Sequence, residues 1–139
     1  MSARSFFDTN ILIYADDRTA PTKQRRALDL VAEHRLAGTG VVSLQVLQEY
    51  FFTATRKLGV DPKIVRRKVE LLAEFAVATP DVADILAAID LHRLHGFSFW
   101  DALVIRAAKQ SGCSVLLTED LQDTREIDGV QIVNPFQPQ

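Results

Sequence analysis

Short unbroken apolar runs alternate with longer stretches in which apolar residues recur every three or four positions. The short runs are RSFF (4–7), GTGVVS (38–43), AVAT (76–79), CSVLLT (113–118) and GVQIVNPF (129–136), and each reads as a strand. NILIYAD, after the first, reads as a helical turn or short helix. TKQRRALDLVAEHR places Ala27, Leu28, Val31 and Ala32 at helical spacing. In LQVLQEYFFTATRKLG, Leu44, Leu47, Phe51, Ala54 and Leu58 share a helix face, with Ser43 as N-cap and Gly59 as stop. DPKIVRRKVELLAEF opens on a cap followed by a first-turn proline. DVADILAAIDLHRLHG closes on Gly96, and SFWDALVIRAAKQSG runs from the cap Ser98 to Gly112.

Strands in alternation with helices predict an α/β fold: a parallel sheet covered by helices on both faces, with right-handed crossovers. In such sheets ligands bind beyond the carboxyl ends of the strands. The 139 residues contain no repeat, low-complexity segment or linker, so a single domain spanning 1–139 is expected. Apolar residues make up 47% and charged residues 24%, an ordinary globular balance. A net charge of -2 argues against coating nucleic acid by bulk positive charge, and leaves room for a local basic strip. The single cysteine, Cys113, excludes an internal disulfide and reads as a core residue. The N-terminus lacks the apolar run of a signal peptide, and no stretch approaches the ~18 apolar residues of a membrane span. A soluble cytoplasmic protein is therefore the expectation.

The acids fall on the rim where ligands bind. Asp8 follows the first strand, and Thr118, Glu119 and Asp120 follow CSVLL. Asp101 lies in the first turn of one helix and Glu49 in the second turn of another, each between apolar neighbours. Taken singly, each has an ordinary explanation. Asp8 suits a turn or helix cap, Asp101 the third position of a capping box with Ser98, and Glu49 a solvated helix face. Taken together, clustered carboxylates repel one another and lose solvation unless a cation neutralises them. Oxygen-only donors suit a hard cation such as Mg²⁺ or Mn²⁺, the equipment of metal-assisted phosphodiester hydrolysis.

His92 and His95 lack an evident third ligand and read as solvated positions near a helix end, where His34 also belongs. Arg56, Lys57, Lys63, Arg66, Arg67 and Lys68 form a basic stretch suited to RNA phosphates, or simply a solvated face. Lys23, Arg25 and Arg26 form a weaker cluster. Tyr14, Tyr50, Phe52 and Trp100 are candidates for stacking on unpaired bases, with core packing the stronger expectation for Trp100.

FFDTNILIYA, VSLQVLQEYFFTATRK, FSFWDALVIRAAKQSGC and LLTEDLQ, in that order, resemble the four acidic blocks of PIN-domain ribonucleases, and more narrowly the toxins of VapBC-type toxin–antitoxin pairs. The resemblance runs from Phe6 to IVNPF. It implies a PIN-like fold: a central parallel sheet of four to five strands flanked by helices, with the acidic site at the carboxyl ends of the strands. It also implies a metal-dependent endoribonuclease acting as a growth-inhibiting toxin, with a cognate antitoxin and a homodimeric state. By position, Asp8, Glu49 and Asp101 match three family acids. Asp120 is selected as the fourth, with Glu119 an additional acid beside it and Thr118 and Asn10 in support. One or two Mg²⁺ or Mn²⁺ ions are implied, and Arg56, Lys57, Arg66 and Arg67 are the candidate RNA contacts.

Two other readings compete. A non-catalytic PIN-like module would bind RNA or protein, although such a module would more often have lost an acid. Phosphotransfer folds also set Asp at strand ends, but a haloacid-dehalogenase-type phosphatase wants a second Asp where Asn10 stands. No GxxxxGK[ST] or GxGxxG loop supports nucleotide binding.

Overall fold

A computed structural model describes residues 3–121 and 125–137; Gln122 of the fourth acidic block lies outside them. The strands are β1 (Arg4–Phe7), β2 (Gly40–Ser43), β3 (Ala76–Ala78), β4 (Cys113–Leu117), β5 (Glu126–Ile127) and β6 (Val130–Val133). The helices are α1 (Thr9–Tyr14), α2 (Pro21–Ala37), α3 (Leu44–Arg56), α4 (Pro62–Leu72), α5 (Val82–His95) and α6 (Phe99–Gln110). One sheet takes all six strands in the order β3-β2-β1-β4-β6-β5.

Every strand pair but one is parallel. Five strands make the expected parallel sheet of four to five, and the exception, β5, adds a sixth at its edge. β5 pairs antiparallel with β6 through the turn Asp128–Gly129, whose φ values of 52° and 85° are both positive. Asp-Gly is a strong short hairpin signal. The sequence reading instead began the last strand at Gly129 and missed the two residues before the turn.

β1 is the centre of the design. The chain steps outward from it through β2 to β3, then returns to its other side as β4. The carboxyl end of β1 is therefore the point where strand order reverses, the usual place for a ligand crevice in an open α/β sheet. All four residues of β2 are buried, and so are Ser5, Phe6 and Phe7 of β1. Successive strand residues face opposite sides, so both faces of the sheet are covered there. α6 packs against β2, β4 and β6, and α3 joins β2 to α1 and α4.

The helix boundaries follow sequence chemistry. Ser43 and Ser98 accept from the N–H groups of Val46 and Asp101, and Asp61 accepts from Lys63. Gly96 ends α5 with φ 76°, a left-handed residue that a side chain would strain. α5 also starts on a reciprocal capping box between Asp81 and Asp84, with Asp84 additionally bound by Arg106 of α6. The sequence reading missed this box, although its third-position Asp is the same signal as in Ser98–Asp101. No helix among the described residues is long and apolar enough to cross a membrane.

Candidate active site at the carboxyl end of the central strand

Asp8 sits where β1 becomes α1. Its N–H continues the ladder to the Leu117 carbonyl at 3.0 Å, and its side chain caps α1. Oδ1 accepts from the Thr9 N–H at 2.7 Å, and Oδ2 from the Thr118 hydroxyl at 2.8 Å. The capping role weighed in the sequence is thus real and does not use up the carboxylate. Only 6% of Asp8 is exposed. Burial pushes its pKa up to about 6, against the hydrogen bonds from Thr118 and Thr9, with the charges of Asp120 and Glu49 adding to the rise.

The other acids converge on this point from three elements. Glu49 of α3 is half-buried, and its two oxygens accept from the Thr9 hydroxyl at 2.8 Å and the Gln45 amide at 2.9 Å. Asp101 lies half-buried in the first turn of α6. Burial raises its pKa, a hydrogen bond with Ser98 opposes this, and the charges of Asp120 and Glu49 raise it further. Asp120 lies exposed beyond β4. Its Oδ2 accepts from Asn10 at 3.1 Å, and its N–H donates to the Thr118 hydroxyl oxygen at 3.2 Å.

Asn10 and Thr118 tie these pieces together. The Asn10 amide nitrogen lies 3.1 Å from Thr118 Oγ1 and 3.4 Å from Asp8 Oδ2, besides its bond to Asp120. The Asn10 oxygen accepts the Glu119 N–H at 3.0 Å. Thr118 is fully buried, and its hydroxyl donates one hydrogen bond and accepts two. Glu119 turns elsewhere, accepting from Tyr14 at 2.7 Å and Lys23 at 2.6 Å.

None of the ion pairs among the described residues reaches Asp8, Glu49, Asp101 or Asp120. As the side chains stand, no three acid, His or Cys groups among the described residues are gathered tightly enough to enclose an ion. Even so, Asp8 and Asp101 both feel Asp120 and Glu49, and the donor set is oxygen only. Mutual repulsion without a countercharge, on hard donors, is what a Mg²⁺ or Mn²⁺ ion would relieve.

Several other candidates lie differently from expectation. Trp100 is 62% exposed, not core, because α6 turns it outward beside Phe99. Tyr50 cannot stack on a base: it is buried, and its hydroxyl donates to Asp16 at 2.5 Å. Lys68 is committed to Asp16 as well. Arg56 and Lys57 are exposed, Arg56 over the Phe52 ring; Arg66 and Arg67 are exposed and paired with Glu70. His92 Nδ1 faces the Phe97 carbonyl and His34 Nδ1 the Thr39 hydroxyl. The sequence reading passed over Thr9 and Gln45 as site residues and placed Lys23 only in a weaker basic cluster with Arg25 and Arg26. Gln45 stands one helical turn before Glu49, a readable signal; no local pattern joins Lys23 to Glu119.

Solved structures share this fold. A toxin–antitoxin complex from Klebsiella pneumoniae is 20% identical, with a TM-score of 0.71 over 96% of this chain and 99% of that one. The VapC20 toxin of Mycobacterium tuberculosis, described as cleaving the sarcin–ricin loop, is 19% identical, with a TM-score of 0.63 over 81% of this chain and 86% of that one. DNA-bound VapBC from Salmonella typhimurium is 19% identical, with a TM-score of 0.64 over 94% and 97%. No curated protein sequence matches. The sequence matches the PIN domain family over residues 5–129, a span that takes in all but the first residue of the central strand and all four converging acids, and the chain belongs to that family.

Proposed function

We propose that this protein is a metal-dependent endoribonuclease and serves as the growth-inhibiting toxin of a toxin–antitoxin pair. The observation that carries the reading is Asp8: a buried carboxylate at the switch point of the sheet, facing other acids and paired with no cation among the described residues. Asp8, Glu49, Asp101 and Asp120 would hold one or two Mg²⁺ or Mn²⁺ ions. When bound, the metal supplies Lewis acidity toward water and charge neutralisation at the phosphate.

The remaining chemistry belongs to the chain. Asp8 is fixed at a strand end, with each oxygen already oriented by one strong hydrogen bond. Thr9 and Gln45 hold Glu49 toward α1, and Asn10 holds Asp120 toward Asp8. Asp101 enters from α6 on the turn capped by Ser98. As cation ligands, these oxygens would set where a scissile phosphate and its attacking water lie. Hydrolysis by external water needs no ribose 2′-hydroxyl and leaves a 5′-phosphate and a 3′-hydroxyl.

Arg56, Lys57, Arg66 and Arg67 present exposed charge for RNA phosphates. Leu44, Phe51 and Phe52 line an apolar groove rimmed by Lys63 and Arg66, suited to an acidic amphipathic antitoxin helix. α5 exposes Val82, Ile85, Leu86 and Ile89, a face that a second copy would cover in a homodimer. The relatives named above support the toxin role and the antitoxin partner, and with them a cytoplasmic setting.

The test is cleavage of total RNA by antitoxin-free protein with Mg²⁺, Mn²⁺ or EDTA, beside folded Asp8→Asn and Asp101→Asn variants. Discrete metal-dependent fragments that vanish in both variants establish the nuclease. Equal cleavage by the variants removes the assigned site. Metal-loaded protein that cuts no RNA class moves the reading to a binding module.

A further inference from the structure

We propose that Lys23 is a positioning residue for the candidate site: its ammonium holds Glu119 away from the acid cluster, so that the neighbouring Asp120 is the carboxylate presented there. The inference rests on the nuclease reading above and deepens it.

Two acids leave β4 side by side, and the strand end alone does not choose between them. The structure separates them. Lys23, from the first half of α2, meets Glu119 Oε2 at 2.6 Å, and the Tyr14 hydroxyl meets Oε1 at 2.7 Å. The same ammonium lies 4.8 Å over the Tyr14 ring and 5.7 Å over that of Phe136, and the two rings pack edge to face at 5.0 Å. Glu119 is therefore held by a cation and a hydroxyl, and the cation is itself held over two rings. Its backbone N–H meanwhile donates to Asn10, whose amide spans Asp8, Thr118 and Asp120. Capturing the Glu119 side chain thus also fixes the backbone from which Asp120 projects. The charge of Asp120 bears on Asp8 and Asp101, whereas Glu119 interacts with Lys23 and Tyr14. Released from Lys23, Glu119 would be a fifth uncompensated acid at the rim of the cluster, able to compete for the same cation.

Two substitutions separate charge from packing. Lys23→Met keeps the aliphatic stem and removes the ammonium; with 41% of the side chain exposed, it opens no core cavity. Glu119→Gln keeps an acceptor for Tyr14 and removes the charge. The measurements are kcat and KM on a short RNA, and Mn²⁺ binding followed by electron paramagnetic resonance without RNA. For Lys23→Met, kcat falls about 10-fold with KM within about twofold, and Mn²⁺ affinity shifts at least about threefold, as for other loosened supports of metal ligands. Lys23→Arg stays near wild type in both readouts. The double variant Lys23→Met/Glu119→Gln returns to the level of Glu119→Gln alone, because no freed charge remains.

Three results overturn the proposal while leaving the nuclease reading intact. They are a double variant as slow as Lys23→Met, which assigns Lys23 to packing; a raised KM at unchanged kcat, which assigns it to RNA phosphate; and a Lys23→Met protein unchanged in both readouts. Wild-type protein that neither binds Mn²⁺ nor cuts RNA overturns the nuclease reading and this inference with it.

Discussion

Asn10 of α1 donates to Asp120 beyond β4 at 3.1 Å, a single hydrogen bond that joins the first acidic block of the chain to the last. The same amide nitrogen reaches Thr118, so its two protons serve acids and a hydroxyl that belong to different strands. Asn10→Ala removes that brace and leaves every carboxylate in place. The expected loss is about 10-fold in kcat, in the range found for partners that orient metal ligands. Asn10→Asp loses more, since it adds an acid and cannot donate. Unchanged RNA cleavage by Asn10→Ala would remove the brace from the mechanism.

The raised pKa of Asp8 ties stability to pH. Between the ordinary value of 3.8 and the raised value of about 6, the folded chain keeps a proton on Asp8 that the unfolded chain has released. The stabilising contribution is therefore complete at low pH and is lost as pH climbs through that window, by up to about 3 kcal/mol. In urea melts without metal, Asp8→Asn should gain on wild type by that order between pH 4 and pH 7. Added Mg²⁺ favours the ionised carboxylate, so it should recover stability at pH 7 in wild type only. Parallel pH profiles for the two proteins would contradict the assignment.

Tyr50, Asp16 and Lys68 make a separate structural prediction. The Asp16 carboxylate, only 5% exposed in its side chain, accepts from Tyr50 of α3 and Lys68 of α4, and so pins the end of α1 to both helices. Burial first, and then the bond to Asp16, pushes the Tyr50 hydroxyl far above the ordinary tyrosine value, so it stays protonated and donating. Lys68→Met leaves that carboxylate with one partner. The expected cost is about 2 kcal/mol, below the full value for a buried pair because Lys68 itself is partly solvated. Tyr50→Phe should cost about 1 kcal/mol. Chemical denaturation of both variants tests the order.

Gly40 opens β2 against the Phe75 ring, and a Cβ there would stand 2.6 Å from the ring edge. Phe75 is itself buried, 5.5 Å from the Phe7 ring, so it has little room to retreat. Gly40→Ala should destabilise by about 1–3 kcal/mol through overpacking. Phe75→Leu in the same chain should return part of it. Additive losses in the double variant would show that the ring is not the obstacle.

Much of this architecture was legible in the sequence because local chemistry marks it. Ser43 and Ser98 announce α3 and α6 and so place Glu49 and Asp101 near helix starts, while the apolar runs before Asp8 and Thr118 place those residues at strand ends. The gaps have physical causes. Periodicity shows that a helix has an apolar face but not what covers it, which is why Trp100 was expected inside and stands outside. The hydroxyl of Tyr50 found a buried partner in Asp16, thirty-four positions away, with nothing nearby to announce the pairing. The fourth acid was ambiguous for the same reason, since the cation that engages Glu119 comes from α2.

The return of the chain across β1 has a consequence for how the molecule comes apart. Asp8 and Glu49 precede the exposed connection Thr79–Asp81, whereas Asp101 and Asp120 follow it. A single cut there divides the acids equally and strands β1 from β4, leaving neither piece with a complete cluster. The connection is thus a natural seam, and any chemistry performed by the four acids together belongs to the reassembled pair of halves and to neither half alone.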